Sequence, residues 1–275
     1  MVWFFIVRVA SLGFSFWLSF QRWDMASPMV FVGSQNYETI LKDATFHVAL
    51  INTLYYGLGY IAIGVPLALL LAVILNRMIK PIRVVLQTVY FIPYITSSVA
   101  IAIVWTWIYD PTWGLLNWFL MDLLRLHYFF SAPRWLFDTS LVIPSIVGMS
   151  VWQTLGYNMV IFMAGLQMIP EVYYEAARID GAGRWRTFKG VTLPLLKFTT
   201  IFITIVTTIG AFQVFDQVYI MTKGGPGDAS MVICLLIYYL AFRLYTFGEA
   251  SALSFVLLCI VIALTVVQLK YFKQM

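Results

Sequence analysis

Stretches of apolar sequence long enough to cross a bilayer recur along this chain, at residues 2–20, 49–75, 84–109, 141–168, 195–221 and 247–269. A hydrocarbon core of about 30 Å needs about 20 mostly apolar residues per helix, and inside it only helices and closed barrels satisfy every backbone polar group. The runs are long and continuous, which favours helices over a barrel. The expected fold is therefore an all-α integral membrane protein of six transmembrane helices. It is expected to form one domain over residues 1–275, with a first helix at 1–20 and a core of five helices over about 49–275. Charge agrees with this: only 11% of residues are charged, against about 25% in ordinary soluble domains, and the mean hydropathy is +0.88.

Lys and Arg collect in cytoplasmic loops, so their distribution orients the spans. With both termini in the cytoplasm, the inner segments carry Arg77, Lys80, Arg83, Arg178, Arg184, Arg186, Lys189, Lys197, Lys270 and Lys273. The longer outer segments carry Arg22, Lys42, Arg125, Arg134, Lys223 and Arg243, interleaved with acids such as Asp24, Asp110 and Asp138. The net charge of +5 is thereby explained by inward-facing loops and calls for no nucleic acid. Arg8 interrupts the first run; such a residue costs about 2.5–3.5 kcal/mol at a helix centre, less where it snorkels to headgroups. It either snorkels to the inner face or meets a protein neighbour. The first run has no small-residue cleavage site and no clear basic start, so a signal peptide is not expected.

Outside, Trp113, Trp118 and Trp135 mark an interfacial aromatic belt. Gly224, Gly225, Pro226 and Gly227 form a turn that ends the fifth span, and residues 231–242 form an apolar helix too short to cross, lying at or dipping into the outer face. Cys234 and Cys259 lack metal or redox spacing, and His47 and His127 are far apart, so no metal or catalytic set is expected.

Between the fourth and fifth spans lies EAARIDGAGRWRTFKGVTLPLL, residues 175–196. Pro170 ends the fourth span, and residues 171–179 suit a short helix with acidic residues near its start. Asp180, Gly181, Ala182 and Gly183 supply a bend, a second short helix begins at Trp185, and Pro194 opens the fifth span. Ala176, Ala177 and Ile179 offer a small-residue surface onto which a partner's groove can close.

The spacing of Glu175, Ala176, Ala177, Gly181, Val191, Leu193 and Pro194 resembles the EAA loop of permease subunits in binding-protein-dependent ABC importers, with Val191 where Ile is usual. Further matches resemble the sugar-type, maltose and glycerol-phosphate branch: Val32-Gly33, Asn36-Tyr37, Asn52-Thr53, Phe91-Ile92-Pro93, Trp152-Gln153 and residues 164–167. Phe215-Asp216 with Thr222, Gly224, Gly225 and Pro226 is similar to the first of the two unlike permeases of such importers.

The resemblance implies a type I importer permease of a bacterial or archaeal inner membrane, working with a second homologous permease, two ATP-binding subunits and an extracytoplasmic substrate-binding protein. It implies import of a carbohydrate, whether mono-, di- or oligosaccharide or polyol; the alternative is glycerol phosphate or another small polar solute. No phosphate-cradling Gly-Lys-Ser/Thr motif occurs in this sequence. ATP and Mg are accordingly expected on the partner subunits, with no cofactor and no enzymatic activity in this chain. Glu175, Ala176, Ala177, Asp180 and Gly181 would enter a cleft on the ATPase, and Gly181, Ala182, Gly183 and Arg186 would set the angle of entry.

Polar residues inside apolar helices face a bundle interior or a cavity. Gln153, Gly156, Tyr157 and Asn158 break the pattern of the fourth run, and Gly210, Gln213 and Asp216 that of the fifth, where Gly210, Gln213 and Gln217 would share a face. By alignment to the maltose branch, Leu155, Gly156, Met159, Gly210, Ala211 and Val214 also fall on the solute path. Helix packing is the competing account of the same residues. A stand-alone secondary transporter would need intramembrane charges for ion coupling and internal repeats with broken helices, but Asp216 is the sole acidic candidate and no repeat is evident.

Overall fold

The computed structural model describes residue Trp3, residues 5–125 and residues 131–274. The start of the first run at Val2, the side chain of Lys273, and His127 lie outside the described residues and side chains. The chain is mostly helical. A π-helical turn, Phe5–Ala10, leads into α1 (Ser11–Leu18). A two-stranded antiparallel ribbon follows, β1 (Gln21–Arg22) against β2 (Val30–Phe31), with Gln21 opposite Phe31. Then come α2 (Gln35–Lys42), α3 (Ala44–Asn76), α4 (Lys80–Ile95), α5 (Ser98–Ile108) and the short α6 (Leu115–Asn117). The second half holds α7 (Val142–Gln167), α8 (Glu171–Ile179), α9 (Arg184–Thr187), α10 (Leu193–Leu195) and α11 (Lys197–Phe212). It closes with α12 (Asp216–Met221), α13 (Ile233–Phe242) and α14 (Phe247–Gln274).

Among the described residues α3, α7 and α14 are long and apolar enough to cross a membrane, and two bent pairs raise the count to five if each is one span. The third expected run is not one helix: α4 and α5 meet at 99°. Pro93 has no amide to donate within the helix, and Thr96 and Ser97 turn extended immediately after it. The fifth run is likewise divided. A 67° bend separates Arg184–Leu195 from α11, placing Pro194 before the bend. A second break at Gln213, Val214 and Phe215 precedes α12. The first run is also irregular, a π-helical turn followed by only eight α-helical residues. The helix expected over 231–242 forms as α13, yet Ile233 and Leu235 are fully buried, so it packs into the core.

α3 begins at an Asp43 cap whose carboxylate accepts from the Thr45 amide at 2.8 Å, and it runs for 33 residues, about 50 Å of helix. It lies along α7. Val147 and Val151 of α7 sit 3.5 Å from where side chains at Gly59 and Gly64 would start, so glycine lets the two helices approach. The core divides into two clusters. One surrounds Ile146, Met149, Ile233, Leu235 and Leu253; the other surrounds Ala68, Ala72, Met159, Phe162 and Leu196. Between them lies a polar level at which the Tyr60 hydroxyl donates to Thr154 Oγ1 at 2.8 Å.

The ribbon ties the amino-terminal helix to the bundle. Buried Asn36 donates from Nδ2 to the carbonyls of Ser19 and Gln21, both at 2.8 Å. The Phe247 amide donates to Trp23 O at 3.1 Å. An unpaired buried polar group costs about 1–3 kcal/mol, so Asn36→Ala, which strands two carbonyls, is expected to lower the thermal midpoint by several degrees. Limited proteolysis between α1 and α2 should accelerate with it; an unchanged midpoint and cleavage rate would count against this role.

Candidate functional site

The α7–α11 connection forms a hairpin whose first arm, α8, occupies the expected residues. Its end is a Schellman closure: the Gly181 amide donates to Arg178 O at 3.1 Å and the Ala182 amide to Ala177 O at 2.9 Å. That geometry requires Gly181 at φ +70°, where no side chain is comfortable. Thr187 Oγ1 donates back to Gly183 O at 3.2 Å, fixing the start of α9.

Glu175, Ala176, Asp180, Gly181, Gly183, Arg186 and Pro194 are exposed, Ala182 is half-buried, and Ala177 is buried at 9%. The expected surface of Ala176, Ala177 and Ile179 therefore needs correction. Ala177 turns inward with Tyr174, whose hydroxyl lies 3.4 Å from Thr192 Oγ1. The outward face is Val172, Glu175, Ala176 and Ile179, spaced as one side of a helix, with Ile179 86% exposed. This stripe has nothing packed on it among the described residues.

The second arrangement joins the two broken runs. Ser98, at the first turn of α5, donates from Oγ to Asp216 Oδ2 at the start of α12. Both breaks thus meet at one contact. Because the chain leaves helical geometry at Gln213, with Gln213 and Val214 bonded three residues back to Gly210 and Ala211, Gly210, Gln213 and Gln217 do not share one helix face as expected. Gly210 and Gln213 are exposed, while Ala211 and Val214 are buried.

In the middle of α7, Tyr157 stacks on Tyr94 of α4 with ring centroids 4.3 Å apart and planes at 15°. Gly156 lies where α4 crosses, its would-be Cβ only 1.9 Å from Tyr90 O. Met159 is fully buried in the second core cluster, Asn158 is buried, and Leu155 is half-buried. Gln153 is 6% exposed and its Oε1 has no hydrogen-bond partner. An unsatisfied buried carbonyl costs about 1–3 kcal/mol, so Gln153→Met is expected to raise the thermal midpoint by a few degrees. The same substitution is expected to lower solute uptake; a stabilised variant with unimpaired uptake would assign Gln153 to packing.

Sequence reasoning missed Ser98 and Tyr94. The available signal was Pro93 followed by Thr96, Ser97 and Ser98, a helix breaker running into hydroxyl residues.

The profile of a family described as "Binding-protein-dependent transport system inner membrane component" matches residues 64–270. The probable ABC transporter permease protein YurN of Bacillus subtilis is 37% identical over 258 residues, covering 93% of this chain and 87% of the relative. The trehalose/maltose transport system permease protein MalF of Thermococcus litoralis is 36% identical over 260 residues, 93% of this chain and 85% of the relative. The arabinooligosaccharides transport system permease protein AraP of Bacillus subtilis is 31% identical over 97% of this chain and 83% of its own. Among solved structures, a bacterial ABC transporter involved in import of the acidic polysaccharide alginate superposes with a TM-score of 0.84 at 21% identity, over all of this chain and 92% of that one. That likeness bears on the fold.

Proposed function

The chain belongs to the family of binding-protein-dependent transport system inner membrane components, and from that premise we propose that it is the first of two unlike permeases of an ATP-driven carbohydrate importer. It is a multi-pass membrane protein of a transport family, not an enzyme family. In this proposal the two bent pairs count as single spans and α1 with its preceding turn completes six, with both termini in the cytoplasm of a bacterial or archaeal inner membrane.

The observation that carries the reading is the exposed stripe of Val172, Glu175, Ala176 and Ile179, held at a fixed angle by the Gly181 closure. A short helix with an open apolar face and one carboxylate suits insertion into a groove on a soluble partner. We assign that groove to an ATP-binding subunit, two of which hold ATP and Mg. Their closure draws the paired hairpins together and rocks the spans between inward-open and outward-open states. Glu175, Ala176, Asp180, Gly181 and Arg186 make or orient the contact, and Ala177, Ala182, Gly183 and Pro194 shape the hairpin behind it.

Carbohydrate as cargo is supported by relatives whose names specify trehalose/maltose, arabinooligosaccharides and lactose. A related alginate transporter has been solved with a pentasaccharide-bound periplasmic protein, which supports delivery by an extracytoplasmic binding protein. Within the path, Gln153, Tyr157, Asn158, Gln213 and Asp216 offer polar or aromatic contacts to sugar hydroxyls and ring faces. Gly210 is exposed beside the passage, whereas half-buried Leu155 and buried Gly156, Met159, Ala211 and Val214 pack the helices that border it.

The test is uptake of labelled oligosaccharide into proteoliposomes. Concentrative uptake is expected only with the sister permease, the ATP-binding subunits, the binding protein and ATP together. Uptake by this chain alone, or driven by an ion gradient without ATP, would overturn the proposal.

A further inference from the structure

Two neighbouring cavities at the hairpin end of the bundle share Val73, Arg77, Arg184 and Phe188, and their chemistry differs. The first, about 330 Å³, is lined by Arg77, Arg178, Arg184, Asn76, Tyr174 and Thr187 among others, with no acidic residue in its wall. The second, about 530 Å³, is apolar: Pro66, Leu69, Leu70, Trp185, Phe188 and Leu193. Arg77 and Arg184 line both cavities, so the basic one, which Arg178 also lines, adjoins a hydrocarbon-lined groove.

Neither Arg77 nor Arg184 has an ion pair among the described residues; Arg178 pairs with Glu171 at 3.6 Å, both side chains mostly exposed, and its Nε donates to Tyr174 O at 3.4 Å. Exposed pairs of this kind hold weakly. Trp185 marks the depth. It is 67% exposed, stacked on Phe188 at 5.7 Å and covered by the Lys189 ammonium at 4.9 Å, an aromatic and basic pairing found at headgroup level.

We propose that this pair of cavities binds one anionic phospholipid, its phosphate held by Arg77, Arg178 and Arg184 and an acyl chain lying in the groove along α3. Charge complementarity selects an anion, and the groove selects an amphiphile over a free ion. From Arg77 back to Pro66 the groove follows α3 for about 16 Å, into the span, a depth that a soluble subunit does not reach. Arginine suits the site because its planar fork bonds phosphate through two hydrogens at once. Basic pockets between spans are a general mode of recognising acidic headgroups. The proposal needs only the membrane setting and stands whatever solute the protein carries.

Native mass spectrometry of the full purified chain, offered phosphatidylglycerol or phosphatidylcholine with identical acyl chains, tests it. The expected result is preferential retention of one phosphatidylglycerol, not displaced by millimolar-scale inorganic phosphate. In Arg77→Gln/Arg184→Gln that retention should fall roughly twenty-five-fold, counting about fivefold per lost basic side chain, and Arg77→Lys/Arg184→Lys should fall between that variant and the unaltered protein, keeping the charge but losing the fork. Equal retention of the two lipids by the unaltered protein overturns the proposal, and that arm needs no variant to fold. Displacement by phosphate alone also overturns it. So does unchanged lipid retention in the folded glutamine variant accompanied by loss of the ATP-binding subunit, which would assign the arginines to a protein contact.

Discussion

Gly156→Ala is expected to destabilise the protein more than any other single added methyl in the α4–α7 contact. A Cβ there would stand 1.9 Å from the Tyr90 carbonyl oxygen, 2.3 Å from its carbon and 2.7 Å from the Phe91 nitrogen. All three are backbone atoms, so no side chain can rotate away, and α4 must shift as a unit. Overpacking of ordinary side chains costs about 1–3 kcal/mol, and a clash with backbone belongs at or above the top of that range. For a domain of this size each kcal/mol moves the thermal midpoint by about 2–4 °C, which gives an expected fall approaching 10 °C in a fluorescence-detected melting series. Displacing α4 also separates Tyr94 from Tyr157, so uptake should fall even below the melting range. An unaltered midpoint would mean that the two helices do not cross at this residue.

Gly181→Pro is expected to abolish transport while leaving the chain inserted in the membrane. Proline fixes φ near −65°, against the observed +70°, and it deletes the amide that bonds Arg178 O at 3.1 Å. The end of α8 must then unwind, and the exposed Glu175 stripe changes direction. Gly181→Ala keeps the amide and bears only the left-handed penalty, about 1–2 kcal/mol, so it should retain most uptake. Glu175→Lys reverses the one charge on the stripe and should weaken recovery of the ATP-binding subunit without altering the melt. Normal uptake together with normal subunit recovery in both Gly181→Pro and Glu175→Lys would dissociate the hairpin from energy coupling.

The helix α8 was legible from sequence because its signals are local: Pro170 stops what precedes it, acidic residues sit at its start, and Gly181 follows its end. The long apolar runs were legible for the same reason. The breaks in the third and fifth runs were not: Thr96, Ser97 and Ser98 interrupt the third run too briefly to end it, and Val214 and Phe215 keep the fifth apolar, so hydropathy carries no mark of direction. Asn36 stood out as part of a motif, but its task, closing two carbonyls seventeen and fifteen residues back, appears only once the ribbon exists. Ala177 pointed the wrong way in the sequence reading because the two sides of α8 are similar in composition. Which side faces Thr192 is settled by tertiary packing, through Tyr174. Ser98 could be paired with Asp216 only through a contact spanning 118 residues.

The apolar part of α3 is longer than a bilayer is thick. Residues 48–75 make about 42 Å of helix against a hydrocarbon layer of about 30 Å, and the surplus is absorbed by leaning or by local thickening of the lipid. Because the carboxyl end of α3 lines the same cavity as α8 and α9, any change in that lean is passed to the hairpin. If the hairpin couples as proposed, acyl length becomes a mechanical input: thinner bilayers tip the rod, thicker ones stand it upright, and the stroke delivered at the hairpin end changes accordingly.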